Sequence, residues 1–182
     1  FFKKKFSTCT VVIGGSGKIS GASLRLLEQL RDREVTILYV KPEIDILSSI
    51  AAKQERIVFH VLQQYARSGH FKKMFIVSNS ECEAILGDLS IKNYFKEINK
   101  LIATIYHMYN VFQNIEPVIE THTSSMEVCR LATFGIVDQD NEKMLYNLSF
   151  PREKHLYYSA TKDSLENDVS LMKNIKKQVR EK

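Results

Sequence analysis

The chain has 182 residues, of which 44% are apolar, so it can bury a core in one domain or in one domain and a small second one. Its apolar runs fall short of the roughly 20 residues that cross a bilayer, which excludes a membrane span from the prediction. The net charge of +5 is modest and comes mainly from lysines at residues 3–5 and 173–182. Specific nucleic-acid binding is therefore not expected.

The three cysteines, Cys9, Cys82 and Cys129, are odd in number and scattered along the chain. Their spacing matches neither a disulfide framework nor a metal site. We expect free thiols in a reducing, cytoplasmic compartment and no structural metal.

The first predicted strand, at residues 10–13, is followed by a cluster of four glycines. The cluster reads Gly14-Gly15-Ser16-Gly17-Lys18-Ile19-Ser20-Gly21. Because glycine has no Cβ, backbone N–H groups in such a turn can approach an anion closely, and a following helix would direct its positive end there. The pattern predicts a phosphate loop, and a tight turn whose glycines serve packing alone stays open as the alternative.

The glycine cluster does not match the two standard nucleotide motifs. A Walker A loop requires a glycine where Val12 stands and a serine or threonine where Ile19 stands. The dinucleotide motif Gly-x-Gly-x-x-Gly also fails, because the glycine after Gly15 and Gly17 comes one residue late, at Gly21.

Short β-branched runs alternate with helical patterns in the first half of the chain. Strands are predicted at residues 10–13, 35–40 and 74–77, with helices at 22–33 and 48–68 between them. This alternation predicts an α/β fold, a three-layer parallel sheet with crossover helices. The predicted core stripes are Leu24, Leu27 and Leu30 on the first helix, and Ile57, Val61, Leu62 and Tyr65 on the second.

A long apolar helix is predicted next and divides the chain. A short helix runs from the turn at residues 78–80 to Leu86, and the long helix follows at 90–112, buried between layers. Its apolar positions are Ile91, Phe95, Ile98, Leu101, Ile102, Ile105, Met108 and Tyr109. We expect a first domain at 1–113 and a small α+β second domain at 114–182.

The second domain is predicted to contain strands at residues 132–137 and 155–160, with a loop at 138–142 between them. A closing helix is predicted at 163–180. Its acidic residues come first and its lysines last, which suits the helix dipole.

The order of these elements resembles that of the tubulin/FtsZ superfamily over residues 10–112, and four short segments match family motifs in the same order. The tubulin signature Gly-Gly-Thr-Gly-Ser-Gly-x-Gly resembles residues 14–21. The family strand that ends in Lys-Pro or Arg-Pro is similar to residues 35–42, and its Ile-Pro-Asn segment to Ile-Val-Ser-Asn at 76–79. The start of the family's long central helix resembles residues 89–99.

The resemblance implies a guanine-nucleotide site. Backbone amides of residues 14–17 would hold the phosphates of GTP or GDP, with Mg²⁺ accompanying the nucleotide and the Ser16 hydroxyl as a further donor. Lys18 would offer an ammonium group if it points inward, and it is a surface lysine otherwise. The Asn99 amide would pair with guanine, and a polar residue on an exposed helix face is the alternative.

Three departures limit what the resemblance implies. Family members have half of the nucleotide domain before the signature, whereas thirteen residues precede Gly14, so residues 1–113 correspond to the C-terminal part of that domain. The family's sugar-contacting Glu and Arg positions fall near Ile46 and Ile50, whose side chains cannot form those hydrogen bonds. The family's catalytic Asn-x-Asp-x-x-Asp pattern is missing, since there is no aspartate between Asp88 and Asp138. GTPase activity is therefore left open.

Three functions follow from the sequence. The leading one is a cytoplasmic tubulin/FtsZ-like protein that binds guanine nucleotide weakly or not at all and self-assembles, head to tail into cytoskeletal filaments or as a scaffold. The alternative is a non-enzymatic α/β interaction subunit of a larger assembly with a purely structural glycine turn. A third is an enzyme that uses the turn for a phosphorylated substrate, for which no nucleophile and base are recognisable.

Overall fold

The computed structural model describes residues 6–17, 20–116, 124–138 and 141–181. The strands are β1 (Thr8–Gly14), β2 (Glu34–Lys41), β3 (Lys73–Ser78), β4 (Leu131–Ala132), β5 (Gly135–Asp138) and β6 (Asn141–Met144). The helices are α1 (Ser23–Glu28), α2 (Ser49–Arg67), α3 (Asn79–Leu86), α4 (Tyr94–Asn114), α5 (Lys162–Asn167) and α6 (Leu171–Glu181). None of the described helices is long and apolar enough to span a membrane.

The main sheet confirms the predicted α/β class. Its strands lie in the order β1-β2-β3-β4, and every neighbouring pair is parallel. The first three strands cover the predicted β-branched runs and extend one or two residues beyond them. A small antiparallel sheet of β5 and β6 is separate from it.

Helices pack on both faces of the main sheet and give three layers. On β2, Ile37 and Tyr39 face the layer of α1 and α2, whereas Leu38 faces the layer of α3 and α4. The first face packs on Leu27 and Leu62, as predicted for those two positions. Because β2 is covered on both faces, it reads as a continuous apolar run.

The apolar stripe predicted on α2 is partly wrong. Leu62 is fully buried, but Ile57 is 63% exposed and Tyr65 is also exposed. The buried face runs through Glu55, Val58, Leu62 and Ala66. Both sets have helical spacing, and contact with the sheet selects the set that contains a carboxylate.

The prediction for α4 also needs correction. Ile98 and Ile102 are buried, but Ile91 lies before the helix and is 97% exposed, and Phe95 and Met108 are exposed as well. The helix covers the sheet with one face and presents the other to solvent, so it is not buried between two layers.

Part of the predicted second domain packs on the main sheet. β4 pairs with β3, the Ser78 amide donates to the Leu145 carbonyl, and Phe134 and Leu145 belong to the same apolar cluster as Ile98. Apolar residues of β4, β5 and the segments beside them thus share a core with the main sheet, namely Ala132, Phe134, Ile136 and Leu145. The division at residues 113 and 114 stays a prediction.

The remaining predictions beyond residue 131 have mixed outcomes. The strand predicted at 132–137 is divided into β4 and β5, and the described parts of the predicted loop 138–142 belong to a hairpin, with residues 139–140 outside the described residues. The strand predicted at 155–160 is wrong, because these residues have no regular secondary structure, and Tyr157 there stacks on Phe112. The closing helix is broken at Asp168, whose carboxylate accepts bonds from the Ser170 amide and hydroxyl.

Replacement of Leu62 by alanine tests the phase of α2. We expect Leu62→Ala to lower the free energy of unfolding by about 2–5 kcal/mol, because it opens a cavity against β2. Ile57→Ala, on the exposed side, should change it by less than about 0.5 kcal/mol. Urea denaturation measures both, and equal losses would contradict the observed phase.

Candidate functional site

The glycine turn lies where β1 ends, at the carboxyl edge of the parallel sheet. β2 and β3 end at the same edge, at Lys41 and Ser78. Ligands of open parallel sheets bind outside this edge, so its position suits the predicted phosphate loop. The side chain of Ser16 is exposed there, and Lys18 lies outside the described residues.

Two of the four amides that the prediction assigned to phosphate already donate within the protein. The Gly15 amide donates to the Val40 carbonyl at 2.9 Å and so continues the ladder between β1 and β2. The Gly17 amide donates to the Gly14 carbonyl at 3.2 Å and closes the turn. In this conformation the turn does not fit a phosphate cradled by all four amides.

Gly15 is required for close packing. A Cβ at this position would lie 2.4 Å from the Tyr39 Oη and 2.7 Å from the Pro42 Cδ. A Cβ at Gly14 would have no neighbour within 4 Å among the described atoms. The two adjacent glycines therefore differ. Only at Gly15 would a side chain collide with Tyr39 of β2 and with Pro42.

The helix that follows the turn is short. A 3-10 turn at Ser20–Ala22 leads into α1, which has six residues and no side-chain hydrogen bond at its N-cap. The helix dipole grows with the number of aligned peptide units, so α1 directs little positive potential at the turn.

Asn99 lies on the exposed surface of α4, toward the same edge of the sheet. The helix begins beside α3, where the Tyr94 hydroxyl donates to Glu83, and it passes β1 where the Thr10 and Tyr106 hydroxyls are 2.7 Å apart. Asn99 is seven residues before Tyr106, so it shares that face about 10 Å nearer the carboxyl edge. The fold thus brings Asn99 and the glycine turn to the same end of the sheet.

A buried polar cluster lies directly beneath the turn. The carboxylate of Glu55, on α2, is fully buried and accepts hydrogen bonds at 3.0 Å from the Tyr39 hydroxyl and the Lys41 ammonium group. Lys41 also lies 4.4 Å from the centre of the Phe59 ring, which stacks on Tyr39 at 5.0 Å. The cluster joins α2 to the end of β2 and positions the Tyr39 ring, which packs against Gly15.

The surroundings of Tyr39 favour its protonated form. Burial, followed by the charge of Glu55 and the hydrogen bond to it, raises the pKa of Tyr39 far above its usual value of 10. Both donors reach Oε1 of Glu55, and Oε2 is buried without a hydrogen-bond partner among the described residues. Such an oxygen can accept one more donor, from solvent or from a ligand.

Sequence reasoning missed this cluster, although a signal was present. Glu55 precedes Val58 and Leu62 by three and seven residues, so it falls on the stripe that faces the sheet. A carboxylate on such a stripe requires a buried partner. Lys41, at the end of a buried strand, is the cation that provides it.

A large cleft of about 1470 Å³ lies at the opposite, amino edge of the sheet. Its lysines and arginines suggest an anion site, but several already have partners. Lys72 pairs with Glu34 at 2.9 Å, the Lys73 ammonium group contacts the Ser125 hydroxyl, and Arg130 donates to the Phe71 carbonyl at 3.0 Å. These contacts reduce what the cleft can offer an anion.

Cys129, Glu153 and His155 form a group that contains a thiol and an imidazole, with the His155 Nε2 2.9 Å from the Glu153 carboxylate. Hydrogen bonds from Cys129 and then His155 lower the pKa of Glu153 to about 2. The bond between Cys129 and Glu153 also raises the pKa of the thiol, which disfavours the reactive thiolate. Within the described ranges, no three His, Cys, Asp or Glu side chains are grouped to hold a metal ion.

Comparison with models of known protein families, with curated proteins and with solved structures finds no match for this chain. The resemblance to the tubulin/FtsZ superfamily therefore stays a prediction.

Replacement of Gly15 tests whether the turn is a packing device. We expect Gly15→Ala to lower the free energy of unfolding by about 1–3 kcal/mol, because the new methyl group meets the Tyr39 hydroxyl and the Pro42 ring. Gly14→Ala is the matched control and should change it by less than about 0.5 kcal/mol. Denaturation of the two variants in urea measures the difference, and equal stabilities would refute the packing role.

Alkaline unfolding tests the burial of Tyr39. Above pH 10 the unfolded chain loses a tyrosine proton that the folded chain retains, so the free energy of unfolding falls as pH rises. Tyr39→Phe should reduce this slope by about 1.4 kcal/mol per pH unit. Tyr109→Phe should reduce it up to about pH 12, the value to which burial raises the pKa of Tyr109. Unchanged slopes between pH 10 and 11 would contradict the assignment.

Proposed function

We propose that this chain is a non-enzymatic α/β interaction subunit whose glycine turn is structural. The observation that carries the proposal is the open edge of β1. Among the described residues, this strand of seven uncharged residues pairs with β2 on one side and has no strand on the other. An edge of this kind presents backbone donors and acceptors that another strand can satisfy. The function proposed is association with protein.

The glycine turn supports the structural part of the proposal. The amides of Gly15 and Gly17 are bonded within the chain, and the space beside Gly15 is filled by Tyr39 and Pro42. Glycine in such a turn is explained by packing, with no ligand required.

A tubulin/FtsZ-like guanine-nucleotide site that accompanies self-assembly is the second candidate. The placement of Asn99 favours it. Asn99 lies on the same face of α4 as Tyr106, which contacts β1, and at the same edge of the sheet as the glycine turn. Binding of phosphate would require the Gly17 amide to leave the Gly14 carbonyl. This conformational cost predicts weak affinity.

Titration with GTP and GDP, each with and without Mg²⁺, separates the two candidates. We expect no saturable binding up to about 1 mM nucleotide, a concentration that would detect even ~4 kcal/mol of binding free energy. Isothermal calorimetry of the whole chain provides the measurement, with Asn99→Asp as the paired variant.

Saturable binding of GTP that Asn99→Asp weakens would overturn the interaction-subunit proposal in favour of the nucleotide site. Saturable binding that Asn99→Asp leaves unchanged would overturn it too, and would place the nucleotide away from Asn99.

A further inference from the structure

The backbone bonds at the two ends of β1 fix which residues face its open side. The Gly15 amide donates to β2, and the Ser7 carbonyl accepts from the Glu34 amide. Successive residues of a strand direct their backbone groups to opposite sides. The odd-numbered residues therefore face β2, and the N–H and C=O groups of Thr8, Thr10, Val12 and Gly14 face outward.

The two edges of the main sheet differ in how they limit further pairing. β4, at one edge, has two residues. β1, at the other, has seven residues without charge or proline, and its Val12 is 65% exposed. Short strands, charges and prolines are the usual protection of an edge, and β1 has none of the three.

We propose that the open edge of β1 pairs with β1 of a second copy of this chain, antiparallel and across a two-fold axis at Val11. The inference rests on the proposed function and names its partner. In this register Thr8 faces Gly14 of the second copy, and Thr10 faces Val12. All of these residues direct their backbone groups outward, so every outward group of the strand finds a partner.

The side chains of β1 are also self-complementary in this register. Cys9 faces Ile13 of the second copy, and both belong to the face that packs on α1 and α2. The apolar faces of the two sheets are thereby continuous, whereas a shift of one residue would place apolar side chains of one copy opposite the other face of the second. Since β1 carries no charge, the pairing places no like charges opposite each other. Contacts of this kind are isologous and close as a dimer.

The mass of the whole chain in solution, by light scattering after size exclusion, gives the first test. We expect a dimer at about 100 μM chain, where a Kd of ~1 μM gives nearly complete association. Val12→Pro should give a monomer, because its N–H faces outward and proline blocks the pairing without removing a bond to β2. Val12→Lys is the second variant if the proline variant does not fold. Ile57→Lys, on the exposed side of α2, is the control and should remain a dimer.

Disulfide trapping tests the register. In a Cys9→Ala background, Val11→Cys should cross-link two copies on oxidation, because residues at a non-hydrogen-bonded antiparallel pair have Cα atoms about 4.5 Å apart. Thr10→Cys should not, since it lies opposite Val12 of the second copy and not opposite itself.

A monomeric native chain, or a dimer that Val12→Pro and Val11→Cys leave unaffected, would overturn this inference. Neither result would overturn the proposed function, which fails only if the nucleotide titration is positive. A positive titration with the expected dimer would instead leave the pairing intact and overturn the proposed function.

Discussion

The structure depends on β2, the strand that makes backbone pairs on both sides and packs side chains on both faces. Its neighbours β1 and β3 align through it in parallel register. Tyr39, near its end, is fully buried beneath the glycine turn and donates to Glu55 on α2. One strand thus fixes the sheet, the docking of α2 and the conformation of the turn.

The buried ion pair of Lys41 and Glu55 is better understood as a positioning device than as a source of stability. Desolvation of two charges offsets most of their attraction, whereas loss of one partner leaves the other charge buried. Lys41 keeps partial access to solvent and contacts the Phe59 ring, and Glu55 is fully buried. The pair therefore specifies the rotation of α2 more strongly than an apolar contact would, because other rotations leave Glu55 without a cation.

The sequence predicted the layers of this fold better than its local detail. β-branched runs located β1, β2 and β3 because such residues favour strands. The predicted helix at 48–68 matches α2, which Ser48 caps. The phase of α2 was missed because a search for apolar residues passes over a helix face that contains the charged Glu55. The break at Asp168 was missed because the helical segments on either side of it, six and eleven residues long, have compatible propensity. For the site, the sequence located the turn but not the bonds of its amides, which depend on the strand beside it.

A similar order of elements does not by itself specify similar chemistry at a glycine turn. Order follows from alternating apolar periods, which many α/β sequences share, whereas a phosphate cradle depends on the direction of a few amides. In this chain the Gly15 amide extends the ladder with Val40, and the space beside Gly15 is filled by Tyr39 and Pro42. Of the glycines that suggest a ligand loop, Gly15 lets β1 and β2 remain paired to their ends. Pairing with β2 along its whole length already holds β1 extended, which lowers the entropy cost of adding a partner strand on its other side.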